Sequence, residues 1–402
     1  MTVNYVNTLN AIPSYLDKMY AQLIQDYRQS PPALSGVSPQ TLCVLEVNFN
    51  AIAYNYLRLK EQFTGSVCAA VVKSDAYGVG AVGVAQKLYA VGCRHFFVAN
   101  VDEGVELRSC IPHDVDIFIF SGVLPNTEDI LVRHNLIPVL INRDGLLRWQ
   151  QFSHQVGRQL PAVIHVDTGM NRTGFALCDL QRIAADSGAL DGLDVKMLMS
   201  HLACSPSPDH NLNYSQLGCF REGCRLFPGV PASLVNSEGI FLPQEFHFDC
   251  ARPGGGLYGF NSSNVDMVPA LRFWARVIHI HAVQKGDSVG YGGSYRFQRN
   301  GRVAVLAAGY YHGWIRSLSN HTEVYIAGRK ARVVGPISMD LCTVDVTDIP
   351  ENALSAHSWV ELAGQHVPLR QLAKNGGSIT TELLTLITRT RNRIYVGAAE
   401  KK

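Results

Sequence analysis

Between residues 67 and 252 the chain carries eight short apolar runs, seven of which end on a polar or charged side chain. The runs are Val67–Lys73, His95–Asn100, Asp116–Phe120, Ile137–Asn142, Ala162–Asp167, Val195–Ser200, Ala232–Asn236 and His247–Arg252. Continuous apolar runs of this length read as strands buried on both faces. Segments of helical length lie between them, among them Asp102–Arg108, Asp144–Phe152, Asp179–Ser187 and Ser215–Phe227. Eight such strands alternating with helices predict an α/β fold, a TIM-like (β/α)8 barrel. A strand over Leu42–Asn48 and an amphipathic helix over Ala51–Phe63 lead into it, so the barrel is expected over residues 41–275.

Beyond residue 275 the texture changes. Arg276–Val283, Arg302–Ala307, Glu323–Ile326, Ala331–Val334 and Trp359–Leu362 are short strand patterns punctuated by Gly, Asn and Pro, with one helix near Pro368–Lys374. They predict a mostly β C-terminal domain over 276–402. Residues 1–40 read as an N-terminal extension, with Ser14 capping a helix over 15–27 that ends before Gln29-Ser-Pro-Pro. This extension lacks the basic and apolar regions of a secretory signal.

A net charge of +2 gives no reason to expect a nucleic-acid or anionic-membrane partner, and no apolar run reaches membrane-spanning length. The ten cysteines include no C-x-x-C pair, and Cys68, Cys178, Cys250 and Cys342 sit within apolar runs. That usage suits a reducing cytoplasm and predicts neither a disulfide framework nor a metal site.

The ends of the predicted strands carry the chemistry, as barrels require. They are Lys73, followed by Tyr77; His165-Val-Asp167-Thr-Gly-Met-Asn-Arg172; His201; Asn236-Ser237; and Arg252-Pro-Gly254-Gly255-Gly256. Taken alone, a lysine here reads as a snorkelling surface residue and a His or Arg as a structural polar group. Their recurrence at successive strand ends reads as an active site. Gly78-Val-Gly80-Ala-Val-Gly83, with Glu103 twenty residues on, also matches a dinucleotide fingerprint. In that motif the glycines follow the strand at once, whereas Lys73-Ser-Asp-Ala-Tyr77 intervenes here. An amine, a glycine-rich loop after the eighth strand and a hydroxyl at Ser237 after the seventh supply parts that a pyridoxal 5'-phosphate (PLP) enzyme needs.

Over roughly residues 42–396 the chain resembles the alanine racemase family. The likeness rests on Val71-Val-Lys73-Ser-Asp-Ala-Tyr77-Gly-Val-Gly80, Asp167-Thr-Gly-Met-Asn-Arg172, Ser200-His201-Leu-Ala203, Asn236-Ser237 and His247-Phe-Asp-Cys-Ala-Arg252-Pro-Gly. It extends to Val289-Gly-Tyr291-Gly-Gly-Ser-Tyr295, Gly309-Tyr310, Arg316 and Ser338-Met339-Asp340. The resemblance implies a homodimer with shared active sites that racemises alanine, a small amino-acid substrate, for peptidoglycan or for alanine catabolism. Lys73 would carry PLP and serve as one base, with Tyr291 of the partner subunit as the second. His201 would stack on the ring, and Arg252 would donate to its nitrogen. Tyr77, Asn236, Ser237, Gly254 and Gly255 would complete the cofactor site, with Thr381 at the family's further phosphate contact. Arg172 and Met339 would hold the substrate carboxylate, with His165, Tyr310, Arg316 and Asp340 in support.

An arginine only donates hydrogen bonds, so at the ring nitrogen it would favour return of the proton to Cα over transamination. Five departures from the family pattern stand out. Ser74 and Val79 replace an alanine and a histidine. His165 stands where a carbamylated lysine is usual, and imidazole forms no stable carbamate. Thr381 replaces a tyrosine, and Cys204-Ser-Pro206-Ser-Pro208-Asp209 lacks the usual acidic residue near Pro206. These changes leave open a racemase of broader specificity, for serine or larger residues. A non-catalytic PLP-binding barrel would lack the domain carrying Tyr291, and a D-amino-acid lyase would be expected to use a metal.

Overall fold

The computed structural model describes residues 33–260 and 267–397. The helix expected over 15–27 lies outside them. The described residues form two compact units, one built from residues within 55–260 and the other joining 33–54 to 268–397. In chain order the first strands are β1 (Cys43–Asn48), β2 (Val67–Cys68), β3 (Ala70–Val71), β4 (His95–Val98) and β5 (Asp116–Ile119). They are followed by β6 (Leu136–Leu140), β7 (Leu160–His165), β8 (Leu193–Met199), β9 (Ala232–Ser233) and β10 (Cys250–Ala251).

In the first unit β3 to β9 form one parallel sheet in chain order. The ring closes through the eighth position. Asp249 N–H donates to Ala232 O at 3.0 Å and Arg252 N–H to Val235 O at 2.9 Å, while β10 pairs in parallel with β2. Ala69, between β2 and β3, keeps the ladder by donating to Ala251 O at 2.9 Å, so β2 and β3 act as one barrel strand. All but β9 of the strand positions contribute: Val71, Phe97, Phe118, Val139, Val163, Met197 and Cys250 form one buried cluster. This packed interior makes the barrel a platform rather than a pore.

Outer helices begin where local chemistry starts them. Asn100 caps Val101–Arg108 and Asn142 caps Arg143–Val156, each through its side-chain oxygen. The opposite, N-terminal face is tied by Arg108, 5% exposed. Its guanidinium donates to the carbonyls of His134, Pro112, Val115 and Asn135 at 2.7–3.0 Å.

The second unit is β-rich: β11 (Leu271–Val283), β12 (Ser288–Val289), β13 (Tyr295–Arg296), β14 (Gly301–Leu306), β15 (Glu323–Ile326), β16 (Arg329–Arg332), β17 (Cys342–Asp345), β18 (Trp359–Ala363) and β19 (Arg393–Val396). Here β1 differs from expectation. The span 41–275 counted it with the barrel, yet it pairs antiparallel with β11 and parallel with β19. All six of its residues are buried, so its local pattern is that of a barrel strand. Only long-range pairing assigns it. Helix Thr380–Ile387 and strands β17 and β19 had no counterpart in the sequence reading.

Candidate active site

Lys73 lies just past β3, at the head of a turn over Lys73–Tyr77. That turn is left-handed: φ is 55°, 54°, 53° and 59° at Ser74, Asp75, Ala76 and Tyr77. Such angles disfavour L-residues by roughly 1–2 kcal/mol each, so surrounding contacts must hold them. Glu103 does part of this, accepting Ser74 N–H and Ala99 N–H, both at 2.8 Å. Asp75 Oδ1 accepts Ala81 N–H at 2.7 Å and so occupies the start of the following helix. The two acids therefore serve the turn, and the place where a dinucleotide fingerprint would seat a pyrophosphate is filled from within. Sequence reasoning missed this role for Glu103; its place in the first turn after β4 was the available signal.

The Lys73 amine is held below its usual pKa by burial and by Arg172, with Glu103 opposing. His201, after β8, is pushed down to about 3 by burial, then by Arg252, Arg172, His165 and Lys73. His165, at the end of β7 and 8% exposed, is pushed down to about 4 by burial, Arg252 and Arg172. Both imidazoles are therefore neutral near pH 7, and each feels the same cations. The structure thus brings Lys73, His165, Arg172, His201 and Arg252 into one field at the C-terminal ends of the strands.

Arg252 is 3% exposed, and burial lowers its pKa to about 10. It donates to Ser233 Oγ and Ser200 O. Arg172 sits on the loop after β7 and is exposed. That loop is folded by Asp167 Oδ1, which accepts Gly169, Met170 and Asn171 N–H at 3.0 Å each. His165 Nδ1 lies 3.3 Å from Thr173 Oγ1, a neutral partner where an anion would be expected.

Ser237 Oγ accepts Gly254 N–H at 2.9 Å and Gly256 N–H at 3.0 Å, which leaves its own O–H to donate. A Cβ at Gly254 would collide with Tyr77 Oη, so the glycine is needed for close approach of the phenol. Burial raises the Tyr77 pKa to about 12, keeping it a neutral donor. Asn236 Oδ1 accepts Gly239 N–H at 2.9 Å and holds the loop instead of pointing outward. A cluster of cations, neutral donors and a glycine cradle around an uncharged-prone amine fits PLP and a carboxylate substrate. Tyr77, Ser237, Gly254 and Gly255 would hold the phosphate, Arg252 the ring and Lys73 the aldehyde carbon.

The remaining predicted residues lie on the other unit. Tyr291 is 72% exposed in the turn joining β12 to β13, where Gly290, Gly292 and Gly293 have positive φ. A side chain at Gly290 would press on Pro336, so this turn sits beside the 336–341 loop. Tyr310 N–H donates to Ser338 O and Tyr311 N–H to Met339 O, bringing Tyr310, Met339 and Asp340 together. Arg316 is exposed in the turn Arg316–Leu318, and Thr381 is half-buried in the first turn of Thr380–Ile387.

Known proteins share the sequence pattern and the fold. The family model described as alanine racemase, N-terminal domain matches residues 47–262, and the alanine racemase, C-terminal domain model matches 270–395. An alanine racemase of Rickettsia akari is 39% identical, covering 89% of this chain and 99% of the relative. One from Rhodospirillum rubrum is 38% identical over 91% of this chain and 99% of its own. The crystal structure of Bartonella henselae alanine racemase, with covalently bound pyridoxal phosphate, superposes with a TM-score of 0.84 at 34% identity. It covers 89% of this chain and 100% of that one.

Proposed function

Because this chain belongs to the alanine racemase family, we propose that its strand-end cluster binds PLP at Lys73 and interconverts L- and D-alanine. It is an isomerase. The observation that carries the reading is the convergence of Lys73, Arg172, His201 and Arg252 in one electrostatic field beside the Ser237–Gly254 cradle. PLP, when bound, supplies the electron sink that acidifies the substrate Cα–H. The chain supplies the rest. Lys73, biased toward its neutral form, takes or returns the Cα proton on one face. Arg252 would donate to the ring nitrogen and, being an arginine, would leave it unprotonated. His201, neutral, would stack on the ring without competing for the proton. Arg172 would orient the substrate carboxylate.

The second face needs its own acid/base, which we assign to Tyr291 of the partner subunit. The homodimer is supported by large exposed side chains on adjoining turns of the β-rich unit: Tyr291, Tyr310, Tyr311 and Met339. A cytoplasmic place, supplying D-alanine for peptidoglycan or serving alanine catabolism, is supported by ten free cysteines. Among the described residues no helix is long and apolar enough to cross a membrane.

The test is to incubate the purified protein and L-alanine in D₂O, following chirality and Cα deuterium together. Racemisation with deuterium entry, lost in Lys73→Ala, is expected; absence of both in PLP-supplemented wild type overturns the reading. Mixing Lys73→Ala with Tyr291→Phe tests sharing. Random exchange makes about half the dimers mixed, each with one intact site, so roughly a quarter of wild-type activity per site returns. No return in verified heterodimers removes Tyr291 from the partner's site.

A further inference from the structure

We propose that Gln216, on the outer helix Asn211–Leu226, is a positioning residue that sets His201 and the Arg172 loop for the cofactor and the substrate carboxylate. The inference rests on the PLP reading above. Gln216 is fully buried, on a helix whose other inward residues include Leu217 and Phe220. An amide in such a place is costly unless each of its groups is matched. Here all are. Nε2 donates to His201 O at 2.9 Å and to Thr168 Oγ1 at 3.1 Å, and Oε1 accepts Ala203 N–H at 2.9 Å. The acceptor on one side and the donor on the other fix which way the amide faces.

The partners come from two different strand ends. Thr168 belongs to the loop after β7 that carries Arg172, and His201 and Ala203 to the loop after β8. Gln216 grips the peptide on both sides of Leu202, so it sets the backbone from which the His201 ring projects. The contacts continue inward: Thr168 Oγ1 lies 2.8 Å from Ser200 Oγ, and Ser200 O accepts from Arg252. A single side chain outside the barrel thus connects the loop of the carboxylate-binding arginine, the stacking histidine and the ring-nitrogen donor. None of these contacts requires Gln216 to touch cofactor or substrate. Such outer supports orient the groups that do the chemistry.

The experiment titrates the cofactor-stripped full chain with PLP, reading the dissociation constant and the visible band for wild type and Gln216→Leu. Gln216→Glu keeps the shape and the acceptor for Ala203 but loses both donors, and serves if the leucine variant fails to fold. Phe220→Leu, on the same helix and packed edge-on against Phe248, controls for lost stability. Either Gln216 variant should bind PLP at least tenfold more weakly with a shifted visible band. Phe220→Leu should stay within twofold despite a lowered melting temperature. Gln216 variants that lose thermal stability but bind PLP within twofold, with an unshifted band, overturn the inference. A wild-type chain that takes up no PLP overturns the proposed function itself, a result the variants cannot mimic.

Discussion

Two arginines lie almost wholly buried at opposite ends of the barrel, and they are built to different ends. Arg108 donates to four carbonyls, three of them on residues that lead into β5 or β6. Arg252, beyond β10, donates to one hydroxyl and one carbonyl, both also at strand ends. A buried guanidinium with nearly every N–H spent on fixed acceptors is a structural clamp. One with N–H groups to spare, beside a neutral histidine and a biased amine, is preorganised for something that arrives later. The lesson concerns the two faces. Among the described residues Arg108 spends nearly all its N–H groups, while the C-terminal face keeps spare N–H groups on Arg252, two strongly depressed histidines and four consecutive left-handed residues.

Exchanging each arginine for methionine should separate the faces. Arg108→Met strips the donor from four carbonyls, at about 1–3 kcal/mol for each one left buried and unpaired. Urea unfolding should show a loss of roughly 4 kcal/mol or more, with PLP affinity of the folded fraction unchanged. Arg252→Met strips the donor from only two buried acceptors, Ser233 Oγ and Ser200 O, so by the same rule its loss should be about half that of Arg108→Met. Its racemisation should fall by about 100-fold or more. If the two variants give the same profile in both assays, the distinction between clamp and ligand group is wrong.

Acid should find the C-terminal face first. His165 has a folded pKa of about 4, below its unfolded value. As pH falls from about 6.5 toward 4, the unfolded chain takes up a proton that the fold refuses, so stability falls through that window and is fully present above it. At pH 5 the loss is about 2 kcal/mol from this residue. His165→Asn should flatten the decline measured by unfolding between pH 6.5 and 5. His95, at the other face, is also lowered by burial but is countered by Asp116 at 3.4 Å. His95→Asn should flatten it less. Equal flattening would mean that the faces do not differ electrostatically.

The same contrast explains what could be read from the chain alone. Strand positions were legible because burial on both faces leaves continuous apolar runs: Glu323–Ile326 and the starts of β4 and β5 fall where the pattern puts them. Membership was not legible for β1, whose partners are more than two hundred residues away. At the site, charged residues that end apolar runs, Lys73 and Arg252, stood out. The roles of Glu103, Asp75 and Gln216 did not, because each acts wholly or mainly on backbone groups and leaves no periodic trace. The left-handed turn was invisible, since Ser, Asp, Ala and Tyr carry no local preference for it.

That turn yields the smallest predicted effect and the sharpest contrast. The N-terminal face also has a residue in the left-handed region, Asn135, whose carbonyl accepts from Arg108. Asparagine tolerates that region, whereas serine does so less readily. Ser74→Gly should therefore relieve strain and raise stability by up to about 1 kcal/mol, offset in part by the freedom glycine gains when unfolded. Asn135→Gly should change it by only a few tenths. Relief at Ser74 has a consequence next door. Lys73 heads the turn, so a softer turn holds its amine less well, and racemisation should fall about threefold while thermal stability holds or rises. The pair of measurements is an unfolding midpoint and a rate for each variant. A Ser74→Gly chain that is less stable than wild type would show that the turn stores no strain at that residue. One that is more stable and equally fast would show that the strain does not position Lys73.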